Sequence, residues 1–248
     1  MFKTDSRAGL LEREQEVMKM LNLFLDRNLD FVVVGGYAIS TYKKRFSIDL
    51  DIVVKEENFK EFERILEKEG YILHYEKDIT LLYGENFKRF TKKMKNLPVD
   101  VDFLINGLVS RTTDATWGHD YIKKHSTKRK LNNSKFLTPE KELLIAMKFH
   151  SGRLSDIRDI VALMPCNLEK LKKHLQKGNI NKLKESIKKQ SDFLNKPQFD
   201  DSFKGVFGPF SYNEKDVQAA KELIKELLKD KQEKTSQNPS GFVLEKFE

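Results

Sequence analysis

Val34-Gly35-Gly36-Tyr37-Ala38, followed by Arg45-Phe46-Ser47-Ile48-Asp49-Leu50-Asp51-Ile52-Val53-Val54, is the stretch that decides how this 248-residue chain folds. Just ahead of the glycines, Phe31-Val32-Val33-Val34 is short, wholly apolar and β-branched, as a buried strand is. Gly35 and Gly36 stop that strand, and residues 37–41 read as a helical turn. Glycines at such a place let the backbone approach a ligand closely, and the free N–H groups of the helix that follows form an anion site. Residues 48–54 alternate apolar side chains with Asp49 and Asp51, which marks a strand with one wet face. Two apart on a strand, both aspartates project from the same face. Carboxylates that close repel each other unless a cation lies between them. A hard cation with oxygen ligands fits, since magnesium takes one or two carboxylates together with substrate phosphates. Two such ions activate an attacking hydroxyl and stabilise a leaving pyrophosphate in an in-line displacement.

Working outward, Pro98-Val99-Asp100-Val101-Asp102-Phe103-Leu104 is a second Asp-x-Asp strand flanked by buried valines. Laid beside the first, it would bring a third carboxylate to the same cluster. Residues 8–27 carry Leu11, Met18, Leu21 and Leu25 at helical spacing, and residues 58–69 carry Phe59, Phe62, Ile65 and Leu66 on one face ahead of Gly70. Residues 71–74, 79–83 and 97–105 read as further strands. Thr138-Pro139-Glu140 has the look of a helix start, with a hydroxyl cap and a proline in the first turn. From there the pattern is helical over 143–163, 168–175, 180–187 and 217–228. The expected organisation is a mixed α/β unit over residues 1–136, a helical unit over 137–230, and a polar, mobile tail over 231–248. The fold class is α+β, and no internal repeat is present.

Gly35-Gly36-Tyr37-Ala38 with Arg45-x-Ser47-x-Asp49-x-Asp51 resembles the signature of the polymerase-β-like nucleotidyltransferase superfamily. It is most similar to the small prokaryotic branch that includes abortive-infection and toxin–antitoxin nucleotidyltransferases. The resemblance implies a mixed β-sheet flanked by helices, with a C-terminal helical region. It also implies two Mg2+ ions, or Mn2+, and transfer of a nucleoside monophosphate from an NTP such as ATP to an acceptor. By motif position, Gly35, Gly36, Tyr37, Arg45 and Ser47 would hold the nucleotide, and Asp49 and Asp51 the metals. Asp102 matches the third carboxylate because it directly precedes Phe103-Leu104, with Asp100 in reserve. Leu143-Leu144-Ile145-Ala146-Met147-Lys148, then Arg153, Asp156 and Asp159, is similar to the branch's helical element, whose lysine is expected near the triphosphate. Ser155 stands where a basic residue often precedes the first aspartate. Tyr42-Lys43-Lys44-Arg45 replaces a turn that is often Gly-rich or His-rich. The resemblance covers roughly residues 31–163.

Composition narrows the partners. The net charge of +8 favours phosphate-rich ones. Lys88-Arg89-Phe90-Thr91-Lys92-Lys93-Met94-Lys95 holds five positive residues and no acid, residues 121–135 hold six more, and residues 167–190 hold eight lysines against two glutamates. These runs suggest a path for an RNA backbone, with Phe87, Phe90 and Tyr121 as stacking candidates. The acceptor expected is therefore RNA, tRNA first, or a protein hydroxyl. A cationic small molecule is less favoured, and a cognate antitoxin is a further expected partner. The second reading is a catalytically silent nucleotide- or RNA-binding module of the same fold. The lone Cys166 allows no intramolecular disulfide, and no apolar run is long enough to span a bilayer, so a cytoplasmic location is expected. None of the five histidines has metal-ligand spacing with another His or with Cys166, which argues against zinc. Trp117 reads as a packing residue.

Overall fold

The computed structural model describes residues 7–74, 86–95 and 97–229, so the strand expected over 79–83 and the expected tail lie outside the described residues. α1 (Arg7–Asp26) leads into β1 (Val32–Val33), α2 (Gly35–Ser40), β2 (Asp49–Val54), α3 (Glu56–Lys68), β3 (Ile72–His74), β4 (Phe87–Met94) and β5 (Leu97–Ile105). The five strands form one sheet in the order β1-β2-β5-β4-β3. β2 and β5 run parallel and the other neighbours antiparallel, which makes the sheet mixed.

The period of two along β2 and β5 divides this sheet into two chemistries. Leu50, Ile52 and Val54 join Val99, Val101, Phe103 and Ile105 on one face, packed against α1 and α3. Phe24, Phe62 and Phe103 meet edge to face there, with centroids 5.0 and 5.6 Å apart, a geometry that adds to the burial of the rings. The apolar side of α3 is the expected one, with Phe59, Phe62, Ile65 and Leu66 buried. On the opposite face Val53 packs with Val32, Val34, Trp117, Leu143 and Met147. Asp49 and Asp51, earlier on the same strand face, are only half-buried.

Two hairpins complete the α/β part: β6 (Gly107–Ser110) with β7 (Ala115–Gly118), then, after α4 (His119–Lys124), β8 (Ser126–Leu131) with β9 (Ser134–Pro139). The helix expected to start at Thr138 does not. Thr138 and Pro139 pair with Thr127 and Ser126 in the hairpin, and the helix begins two residues later, behind Glu140. Cross-strand pairing of a fully buried Thr138 overrides its capping propensity. The continuous helix expected over 143–163 is also divided. α5 (Lys141–Ser151) stops where Gly152 takes φ +71°, a left-handed C-cap, and a 3-10 turn (Leu154–Asp156) leads into α6 (Ile157–Ala162). α7 (Leu168–Leu175), α8 (Ile180–Leu194), α9 (Phe199–Phe207) and α10 (Glu214–Lys229) follow. Every residue of α5 from Glu142 to His150 is buried, so this helix is the shared wall between the sheet and the helical part. Leu144 and Phe149 pack with Ile160, Leu171, Ile187, Phe203 and Leu223, and Ala38 and Ile39 of α2 enter the same core. No helix among the described residues is long and apolar enough to cross a membrane.

Candidate active site

Parallel pairing of β2 with β5 sets Asp49 opposite Asp100 and Asp51 opposite Asp102. Carboxylate oxygens of Asp49, Asp51 and Asp102 all lie within 4.8 Å of one another. Asp100 is turned to other partners: it accepts a 2.7 Å hydrogen bond from the Thr91 hydroxyl and lies 4.0 Å from Arg89 Nε. Of the two candidates for the third carboxylate, Asp102 is the one in the cluster.

The two glycines that open α2 are fitted to these acids. A Cβ on Gly35 would lie 1.9 Å from Asp51 Oδ2, and one on Gly36 would lie 2.2 Å from Ser47 Oγ. Gly35 also has φ +62°, so no other residue fits there without moving Asp51 or straining the backbone. Ser47 Oγ donates to Asp49 Oδ1 at 2.8 Å and orients that carboxylate. Tyr37 is buried, and its hydroxyl donates to the Ser47 carbonyl at 3.2 Å. The structure thus places Tyr37 as a brace of the loop.

Charge in the cluster is unbalanced. Burial, and then Asp49 and Asp100, push the Asp102 carboxyl up to about 6, against the pull of Arg89. Asp51 is raised well above the usual carboxylate range, first by burial and then by Asp49 and Asp102, with Lys148 and Arg153 acting the other way. Arg89 of β4 holds Asp102 with both arms of its fork, Nε to Oδ1 at 2.7 Å and Nη2 to Oδ2 at 2.6 Å. Sequence reasoning missed Arg89 because it stands inside a basic run. The signal was its alternation with the apolar Phe90, which puts the arginine on the acidic face of a strand.

Lys148 and Arg45 belong to a second cluster. Lys148 Nζ is 3.0 Å from Asp156 Oδ1 and 2.7 Å from Asp159 Oδ2, and Arg45 Nη1 is 2.6 Å from Asp159 Oδ1. Burial alone would lower the Lys148 ammonium, but Asp156 and Asp159 override it and raise it. Asp156 is buried too, yet Lys148 and Arg153 hold its carboxyl down to about 2. Lys148 is therefore a buried bridge and not a solvated helix lysine.

The basic runs separate once they are folded. Phe90 is 1% exposed and packs on Phe59 and Phe103, so it cannot stack on a base. Lys92 is paired with Glu16 at 2.8 Å over the Tyr71 ring, and Lys95 with Glu12 at 2.5 Å. The β8–β9 hairpin is different. Arg129 turns inward onto the Tyr42 ring and the Thr41 carbonyl, while Lys128, Lys130 and Lys135 are exposed and Lys130 stands directly opposite Lys135. Like charges opposed across a hairpin are destabilising by themselves.

No protein-family model and no curated protein matches the chain. Among solved structures, it is similar to the lincosamide antibiotic adenylyltransferase LnuA with lincomycin bound, at 19% identity over 60% of this chain and 95% of that one (TM-score 0.44). It is similar to an antigenic nucleotidyltransferase-like protein from Paracoccidioides brasiliensis at 16% identity, over 78% and 92% of the two chains (TM-score 0.47). It is also similar to ANT(2'')-Ia in complex with adenylyl-2''-tobramycin at 15% identity, over 86% and 96% (TM-score 0.40).

Proposed function

We propose that this chain is a metal-dependent nucleotidyltransferase, moving a nucleoside monophosphate from an NTP to an acceptor hydroxyl with release of pyrophosphate. The observation that carries the reading is the cluster of Asp49, Asp51 and Asp102 beside the Gly35-Gly36 start of α2, which has no room for a side chain. Three carboxylates at this spacing, two with raised pKa, are a donor set made of oxygen and in want of positive charge, which suits Mg2+ or Mn2+. Asp49, Asp51 and Asp102 would hold the metal, which when bound neutralises phosphoryl oxygens and activates the attacking hydroxyl. The chain's own groups do the positioning. Ser47 fixes Asp49, the Arg89 fork keeps Asp102 from rotating, and the bare Gly35-Gly36 backbone lets Asp51 and Ser47 pack directly against the start of α2.

For the acceptor we infer RNA, with tRNA first. The opposed Lys130 and Lys135, with Lys128 two residues along the same strand face, gain stability from a polyanion laid across them. A protein hydroxyl is the alternative acceptor. A silent binding module of the same fold remains the second reading, and the observation in its favour is that Arg89 already engages both oxygens of Asp102. Incubation with each α-labelled NTP, Mg2+ and total RNA separates these readings. Label in RNA supports the proposal, label in protein moves the acceptor to a side-chain hydroxyl, and no Mg2+-dependent label in either overturns the enzyme reading.

A further inference from the structure

Apart from the acidic cluster, three metal-ligating side chains converge from distant parts of the chain. His125 caps the end of α4, Glu140 stands just before α5, and His174 lies in the last turn of α7. His125 Nδ1 is 3.1 Å from Glu140 Oε1, and His174 Nε2 is 3.0 Å from the same oxygen. One donor atom from each of the three lies within 4.8 Å of the other two. A tetrahedral ion with bonds of roughly 2.0–2.1 Å sets its ligand atoms about 3.3 Å apart, so the spacing suits one face of such a polyhedron. His174 is 2% exposed, and its other ring nitrogen lies 2.8 Å from the Tyr121 hydroxyl. An outer partner of that kind fixes the ring and tautomer of a ligating histidine.

We propose that His125, Glu140 and His174 bind one zinc-class divalent ion, separate from the site at Asp49, Asp51 and Asp102. Two imidazoles and a carboxylate form a borderline donor set that selects zinc over magnesium, whereas the acidic cluster offers oxygen alone. The ion is a clip: it ties the end of α4 and α7 to the start of α5, the helix that carries Lys148. Short-range spacing rules overlook it because its ligands stand 15 and 34 residues apart. Lys170 Nζ lies 3.2 Å from Glu140 Oε2, which leaves Oε1 to the two histidines.

The test uses the untagged full chain, stripped with chelator, dialysed and titrated with Co2+ as a spectroscopic probe for zinc. The expected result is visible d–d absorption of a tetrahedral site, saturating at one Co2+ per chain and abolished by one equivalent of Zn2+. His125→Ala and Glu140→Gln each lose this absorption, Tyr121→Phe weakens binding by about tenfold, and Asp51→Asn keeps it unchanged. Absence of the bands in wild type overturns the proposal. So does their persistence in both His125→Ala and Glu140→Gln, or their loss in Asp51→Asn. The proposal is independent of the transfer reaction, so failure of either leaves the other standing.

Discussion

Asp49, Asp51 and Asp102 crowd together with the Arg89 guanidinium against one of them, whereas Asp156 and Asp159 face Lys148, Arg45 and Arg153. Both groups are acids held in or near the core, and in the sequence both are short Asp-x-Asp or Asp-x-x-Asp patterns. One member of each shifts in the opposite direction to the other. Asp102 rises to about 6 and Asp156 falls to about 2. The difference lies in neighbours and not in burial, because burial raises both. On the proposed function the unbalanced group is the one that takes a cation from outside the chain, while the balanced group ties the Arg45 segment, α5 and α6 together.

The first way to break this comparison is to neutralise one acid in the unbalanced group. Asp51→Asn should lower turnover at saturating Mg2+ by about a thousandfold or more, on the order of 4 kcal/mol of transition-state stabilisation. It should not lower the melting temperature measured in chelator, because it removes repulsion. Near-normal turnover would sink the metal assignment. The mirror experiment is Lys148→Met, which leaves two buried acids short of a partner. Urea unfolding should show a loss of about 3 kcal/mol, and a loss under 1 kcal/mol would mean that the balanced group is not a structural tie.

The two groups should also answer pH differently. Asp102 binds its proton more tightly in the folded chain than in the unfolded chain. In chelator, stability therefore falls as pH rises from about 4 to about 6, where the folded state alone retains the proton. Asp156 has the opposite sign: its contribution is present above the ordinary carboxylate pKa and is lost as pH falls through about 2. Added Mg2+ should flatten the first slope and leave the second. Denaturant titrations across this range check both, and a Mg2+-independent slope between pH 4 and 6 would detach Asp102 from the metal site. The smallest effect is expected at the β8–β9 hairpin. Lys128, Lys130 and Lys135 changed together to alanine should reduce the salt slope of RNA binding by up to about 2, with NTP binding unchanged. An unaltered slope would remove the hairpin from the acceptor path.

The sheet strands that carry Asp49, Asp51 and Asp102 were legible because strand alternation is a local signal. So were α1, α3 and the apolar role of Trp117. β4 was not, since its lysines and arginine mask the strand, and Phe90 and Thr91, buried side by side on opposite faces, break the simple alternation. The β8–β9 hairpin was hidden by a Thr-Pro-Glu pattern with stronger capping character than strand character. At the site, sequence could put Asp100 and Asp102 on one face but not rank them by geometry. That ranking rests on Thr91 taking Asp100 and on Arg89 taking Asp102, both through pairing of β4 with β5. The partners of Lys148 lie a few residues along the chain, yet Gly152 has to turn the backbone before they can meet it.

Parallel pairing of β2 with β5 also has a consequence in time. Asp51 meets Asp102 only when the chain closes a loop of about fifty residues, and such non-local contacts form late because the entropy of closure precedes their reward. A nascent chain that has not yet reached Asp102 carries two of the three clustered carboxylates and lacks the strand that completes the set. Synthesis order alone therefore delays any chemistry at this cluster until the crossover between the two strands has folded.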